Sequence, residues 1–223
     1  MINENHGDIG TDIIRFHRLI TRSLEITIQN VNRFLEIDAI KESVREGFLK
    51  YIQSFSTVLD AHHKLENDKI FPYFMDKLPD APYDRLITQH KIVKESISHT
   101  NVGINNLKAN GDELELLNLL KTDLRMIDKI WHPHIRIEEE HIYERVGSLK
   151  LSFEETNRLR KEYSEFFQEN AQPTYLIMPF VLYNLTPEDR AILTQQLPEM
   201  VTKQLIPIDW KDKWASMQPF LLK

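Results

Sequence analysis

Two histidines in this chain are each followed four residues later by a glutamate, in His62-x-x-x-Glu66 and His134-x-x-x-Glu138. On a helix that spacing puts imidazole and carboxylate on one face, where both can reach a single metal ion. The pattern alone is weak, because nine histidines and 34 acidic residues among 223 positions supply about one such pair by chance. The chain contains no cysteine, which excludes disulfides, thiolate zinc sites, iron–sulfur clusters and a thiol nucleophile. Any metal must therefore be held by His, Asp or Glu.

The elements that position these residues are read from periodicity and punctuation. Six of the ten prolines lie from Pro173 onward, and the chain before that carries long stretches without Gly or Pro. Apolar residues recur at three and four positions from about Asp12 to Glu36, from Asp38 as N-cap towards Met75, from about Tyr83 to Leu107, and from Asp112 to about Val146. Pro79 and Pro82 enforce one turn, and Ala109-Asn110-Gly111 reads as a helix stop. Four long amphipathic helices with short connections predict an all-α, antiparallel up-down-up-down four-helix bundle over residues 10–147. Ser152-Phe153-Glu154-Glu155 starts a fifth helix towards Phe167, and Thr186-Pro187-Glu188-Asp189 a short sixth. Residues 148–223 read as a helical, proline- and aromatic-rich extension packed on the bundle as a cover, not as an independent domain.

The bundle gives the histidines a common level. Residues equally distant from a turn sit at equal height in a helical hairpin, at about 1.5 Å per residue. By that measure His17, His62, His90 and His134 fall near one level on four different helices, and Glu66 and Glu138 join them. Each of the four histidines has apolar neighbours in sequence. Burying this set without compensation would cost many kcal/mol, and a pair of divalent cations compensates. Nitrogen and carboxylate donors inside a helix bundle suit a carboxylate-bridged di-iron pair, with manganese or zinc as further options. In this reading Glu66 and Glu138 bridge two irons, and the four histidines are terminal ligands. Open positions on such a pair bind dioxygen, nitric oxide or peroxide.

The order His17, His62-x-x-x-Glu66 with Ile70-Phe71-Pro72, His90, then His134-x-x-x-Glu138 resembles the hemerythrin-like, or HHE cation-binding, domain over roughly residues 10–147. The resemblance implies a non-haem, oxo- or hydroxo-bridged di-iron site on those six residues. Tyr143 follows the second motif without the proline that follows Phe71. Oxygen-carrying members have another histidine four residues after the third-helix ligand, and that position is Lys94 here, which puts reversible oxygen transport in doubt. The C-terminal Met178-Pro179-Phe180, with Trp210 and Trp214, resembles the segment after such domains in plant iron-regulatory proteins.

Other candidates have plainer readings. His63 points about 100° from His62 and reads as a supporting or surface residue, with ligation an alternative if the second helix is rotated. His132 reads as solvent-facing beside Arg136, His141 as a non-ligand one helical stretch too far, and His6 and His99 as unsupported. Pro133 either kinks the fourth helix or marks a stop and restart, Glu139, Glu140 and Glu144 form a solvated acidic face, and Tyr51, Phe55 and Tyr73 are core.

Net charge of −6 and a pI near 5.9 argue against nucleic acid. Without a secretory leader or membrane span, the expectation is a cytoplasmic protein with no membrane partner. Three functions remain: a redox or gas-handling di-iron protein, which would use a redox partner; an iron-dependent sensing or storage module without turnover; and a metal-free bundle that engages a partner through its aromatic tail.

Overall fold

The structure is a computed structural model and describes residues 8–37, 39–108 and 113–222. The first helix, α1 (Ile9–Phe34), begins earlier than its periodicity because the Asp8 carboxylate accepts from the Thr11 amide at 2.9 Å and caps it. The second predicted helix is three pieces: α2 (Glu42–Leu65), a π-helical turn (Glu66–Ile70) and α3 (Phe71–Met75). Pro72 explains the change of winding, since it cannot donate to the carbonyl four residues back. Next come α4 (Tyr83–Lys108) and α5 (Glu113–His141). The fifth runs unbroken through Pro133, against a stop at Trp131, and gives way at Tyr143–Leu149 to a 3₁₀ stretch where the sequence predicted continued helix. The expected caps at Asp38 and Asp112 and the stop at Asn110-Gly111 lie outside the described residues, as does His6.

Ser152 caps α6 (Phe153–Asn170) by accepting from the Glu155 amide, and Thr186 caps α8 (Pro187–Thr194) by accepting from Asp189. Between them the apolar run around Pro179 forms α7 (Thr174–Asn184), a helix the proline-rich texture concealed. The chain ends in a π-helical segment (Val201–Asp209), α9 (Lys211–Trp214) and a 3₁₀ segment (Ala215–Phe220). All regular elements of the described residues are helical, and none is long and apolar enough to cross a membrane.

Each of the four long helices packs on two others: α1 on α2 and α5, and α4 on α2 and α5. Two apolar clusters fill the interior. One runs through Leu24, Tyr51, Phe55, Leu124 and Trp131, and the other through Phe71, Phe74, Leu86, Tyr143 and Leu159. They divide α2 between Ala61 and Leu65, and α5 between Trp131 and Ile142, which are the stretches carrying the two His-Glu pairs.

The last third of the chain shares the first cluster. Phe180, Trp214, Met217 and Phe220 are buried in it, and the Tyr51 hydroxyl donates to Asn184 at 2.8 Å. Gly47 lets α2 and the C-terminal segment meet, since a Cβ there would stand 1.9 Å from the Ser216 carbonyl oxygen. In an open helix Gly→Ala stabilises by about 1 kcal/mol. Here the sign should reverse: Gly47→Ala is expected to lower Tm by about 4 °C or more in a thermal melt, and an unchanged or raised Tm would mean that this contact does not hold.

Candidate metal centre

Between the two apolar clusters lie seven buried side chains: His17 of α1, His62 and His63 at the end of α2, Glu66 on the π-helical turn, His90 of α4, and His134 and Glu138 of α5. All six residues singled out from sequence are brought together. They form two overlapping groups, His17, His62, Glu66 and Glu138, and His63, Glu66, His90 and His134, with donor atoms in each within 4.8 Å of one another.

The carboxylates stand between the groups. Glu66 Oε1 is 3.4 Å from His62 Nε2 and 3.8 Å from His17 Nε2, while its Oε2 is 3.4 Å from His90 Nε2. Glu138 repeats the arrangement, with Oε2 at 3.4 Å from His17 Nε2 and Oε1 at 3.5 and 3.0 Å from His90 and His134 Nε2. Every one of these oxygens and nitrogens is turned inward. The Nε2 atoms of His17, His62 and His63, Glu66 Oε2 and both oxygens of Glu138 are buried without a hydrogen-bond partner. Buried polar atoms are normally satisfied, so inward-facing atoms of this kind could hold a cation. Nitrogen and oxygen donors without sulfur fit iron, manganese or zinc.

His63 is not a surface residue, which leaves the supporting and ligating alternatives of the sequence reading. It is 4% exposed, and its ring stacks on that of His90 at 4.0 Å. The 100° between His62 and His63 is real, but Glu66 lies between them around the helix, some 40° from one and 60° from the other. His62 and His63 accordingly fall in different groups of the cluster, with Glu66 common to both. Lys94, where a further histidine would sit in an oxygen carrier, is exposed, and the fifth imidazole of the cluster is that of His63 on α2.

The imidazoles are aimed from behind. His17 Nδ1 donates to Glu139 at 2.8 Å, His134 Nδ1 to the Gln89 side-chain oxygen at 3.0 Å, and His90 Nδ1 to that of Asn67 at 2.9 Å. Such partners fix the tautomer that leaves the Nε2 lone pair facing the centre. Glu139 is therefore not merely a solvated acid, whereas Glu140 pairs with Arg136 as a surface residue does. Tyr143 donates to Glu66 Oε1, and the buried Trp131 ring lies 5.8 to 6.2 Å from those of His17, His62, His63 and His134. Gln89, Asn67, Glu139, Tyr143 and Trp131 carried no spacing signal for these roles.

The remaining calls divide. His132 and His141 are exposed, but His132 faces Asp128 at 3.4 Å and not Arg136, and the exposed His99 has a partner in Asp123 at 3.7 Å. Tyr51 and Phe55 are core, while Tyr73 is half-buried and bonded to Glu155.

Electrostatics separate the histidines. Burial lowers His17, but Glu139, Glu66 and Glu138 outweigh it and raise the imidazole from 6.5 to about 9. Burial dominates at His62, pushing it down to about 4 although Glu66 pulls the other way, and it holds His63 well below 6.5 with help from neighbouring imidazoles. Burial works to raise Glu66 and Glu138, yet the surrounding imidazoles keep both below the ordinary carboxylate range. Burial and the two carboxylates raise Tyr143 far up, so it stays a protonated donor.

No curated protein and no solved structure matches the chain. A family model does: the hemerythrin HHE cation binding domain matches residues 9–146, more than half of the sequence and all seven clustered residues. With its donors gathered on four helices inside the matched span, this chain belongs to the hemerythrin HHE cation-binding family.

Proposed function

We propose that the chain holds two iron ions among four long helices in an up-down-up-down bundle, and binds dioxygen, nitric oxide or hydrogen peroxide there. The observation that supports this most is that Glu66 and Glu138 each turn one oxygen towards His17 and the other towards His90. In this reading both carboxylates span the pair, His17 and His62 hold one ion, and His63, His90 and His134 hold the other. Residues 10–147 form the iron-binding unit and residues 148–223 its cover. Manganese or zinc would suit the same donors.

Bound iron supplies a change between Fe(II) and Fe(III) and open positions for a small ligand. The chain does the rest. Glu139, Gln89 and Asn67 keep the Nδ1 protons of three histidines outside, so that each Nε2 faces the centre. Tyr143 holds its proton against Glu66 and limits how that carboxylate can swing. Trp131 and Phe71 pack over the imidazoles and exclude bulk water. His17 and His62 bring fewer nitrogens than the other three histidines, so an outside ligand finds more room on their side.

The partnerless donors also support a second reading, iron sensing or storage, because a fold with so many unsatisfied buried atoms depends on occupancy. Elemental analysis with absorption spectra before and after anaerobic reduction separates the two. About two irons per chain, with near-ultraviolet bands that bleach and return in air, is expected for a reacting pair. Stable iron that does not cycle favours sensing or storage, and well-folded protein without metal sinks both.

Ligand substitutions sharpen the assignment. His62→Ala and Glu138→Ala should lose metal and thermal stability together, His99→Ala neither, and His63→Ala about half of the metal. Full metal content in His62→Ala and Glu138→Ala would overturn the ligand set.

The raised His17 pKa sets a pH dependence. In the metal-free fold the protonated imidazole is stabilised by its acids, a contribution present below pH 6.5 and lost as pH rises through about 9. Ligation at Nε2 needs that proton removed. Metal binding at pH 7 should therefore release about one proton from His17, and affinity should climb up to about tenfold per pH unit until pH 9. Titration in weak buffer with an indicator dye checks this; no proton release and a flat affinity from pH 7 to 9 would contradict it.

A further inference from the structure

Behind His62, on the side away from α4 and α5, a partly enclosed cavity of about 160 Å³ lies between the bundle and the C-terminal extension. Its walls come from Ile13 and Phe16 of α1, Phe167 of α6, Val181 of α7 and Leu193 of α8, and its inner end is Leu65 and His62. The family model stops at residue 146, so more than half of these walls belong to sequence outside the matched domain.

We propose that this cavity binds a small uncharged apolar molecule and holds it against His62. Size is the first argument. An apolar cavity of about 150 Å³ stays dry and takes up benzene or xenon, because water finds too few partners there. Charge is the second. The arginines at the rim are engaged: Arg15 with Asp12 and Asp189, and Arg160 with Asp12 at 2.7 Å. An anionic ligand would have to displace a carboxylate, and a cation would lose its hydration among walls that are mostly apolar, so neither is accommodated. Of the other titratable groups on the walls, Tyr163 is held protonated by burial, and His62 is buried and turns its Nε2 towards Glu66 and not outward.

Position is the third argument, and it rests on the proposed iron centre. The cavity ends on the imidazole of the ion that has fewer nitrogen donors, where dioxygen or nitric oxide would bind. These gases are themselves small, uncharged and apolar. The same chemistry also describes a small hydrocarbon held for its own sake, and the test separates the two.

Xenon under pressure, located by crystallography, and benzene, followed by thermal shift, serve as probes on the metal-free and the iron-loaded chain. Both are expected to occupy the cavity, and Leu193→Trp, which fills it from the half-buried face of α8, should abolish both while metal content stays that of the unaltered chain. Leu193→Phe is the milder variant should the tryptophan disturb folding. Absence of xenon density and of a benzene shift in the folded chain would overturn the proposal. If the filled variant also binds nitric oxide at its reduced iron at least about tenfold more slowly, the occupant is the gas on its way to the centre. If the rate is unchanged while benzene binding is lost, the cavity serves a hydrocarbon. A chain that holds no metal would defeat the iron centre, yet leave the xenon and benzene results to decide the cavity separately.

Discussion

Two carboxylates buried among five imidazoles are the constraint on which the rest of this fold depends. Glu66 and Glu138 are wholly shielded from water, and burial by itself would drive their protons on. The imidazoles hold them ionised, and in doing so leave several inward atoms of both residue types without a hydrogen bond. An arrangement of this kind is stable only when something positive occupies its middle, or when the surrounding packing is strong enough to carry the deficit. The two apolar clusters flanking the site provide that packing, one on each side along α2 and α5.

The geometry inside this frame follows from where the helices change winding. At Leu65 the second helix passes from α to π, the turn that carries Glu66 and precedes Pro72. Glu66 sits angularly between His62 and His63, so one carboxylate faces both histidine sets. On α5 the corresponding carboxylate is bracketed differently: Glu138 reaches inward while its neighbour Glu139 reaches round to the back of His17. One helix thus contributes a donor and, one residue later, the acid that raises and orients another helix's imidazole.

Much of this was legible in the sequence because it is periodic. The four amphipathic stretches became long helices that pack in a ring, and the matching heights of His17, His62, His90 and His134 corresponded to a real convergence. What periodicity could not report was rotation. Judging His63 against His62 asks whether two residues share a face, whereas the cluster is decided by whether both flank Glu66, as they do. Glu139, Asn67 and Gln89 were illegible for another reason: each acts across a helix interface, on a partner fixed by packing and not by sequence spacing. The helix at Thr174–Asn184 was hidden by Pro179, whose cost is offset by burial of Ile177, Phe180 and Leu182 against the bundle.

The C-terminal third has a physical role that follows from the same asymmetry. His17 and His62 lie on α1 and α2, and α6 and α7 pack on those two helices. Bare, that flank would expose Phe16 and Ile13 to water close behind the histidines. Covering it completely would leave no space beside His62. The extension does something intermediate, since α6, α7 and α8 roof the flank without filling it, and their rim charges Arg160 and Asp189 are paired with Asp12, Arg15 and Arg18 of α1. A mostly apolar space remains beside His62, and the opposite side of the cluster is closed by α4 and by the stacked rings of His63, His90 and Phe71. The space beside His62 is thus shaped largely by sequence outside the matched domain, in a segment that supplies none of the seven clustered side chains.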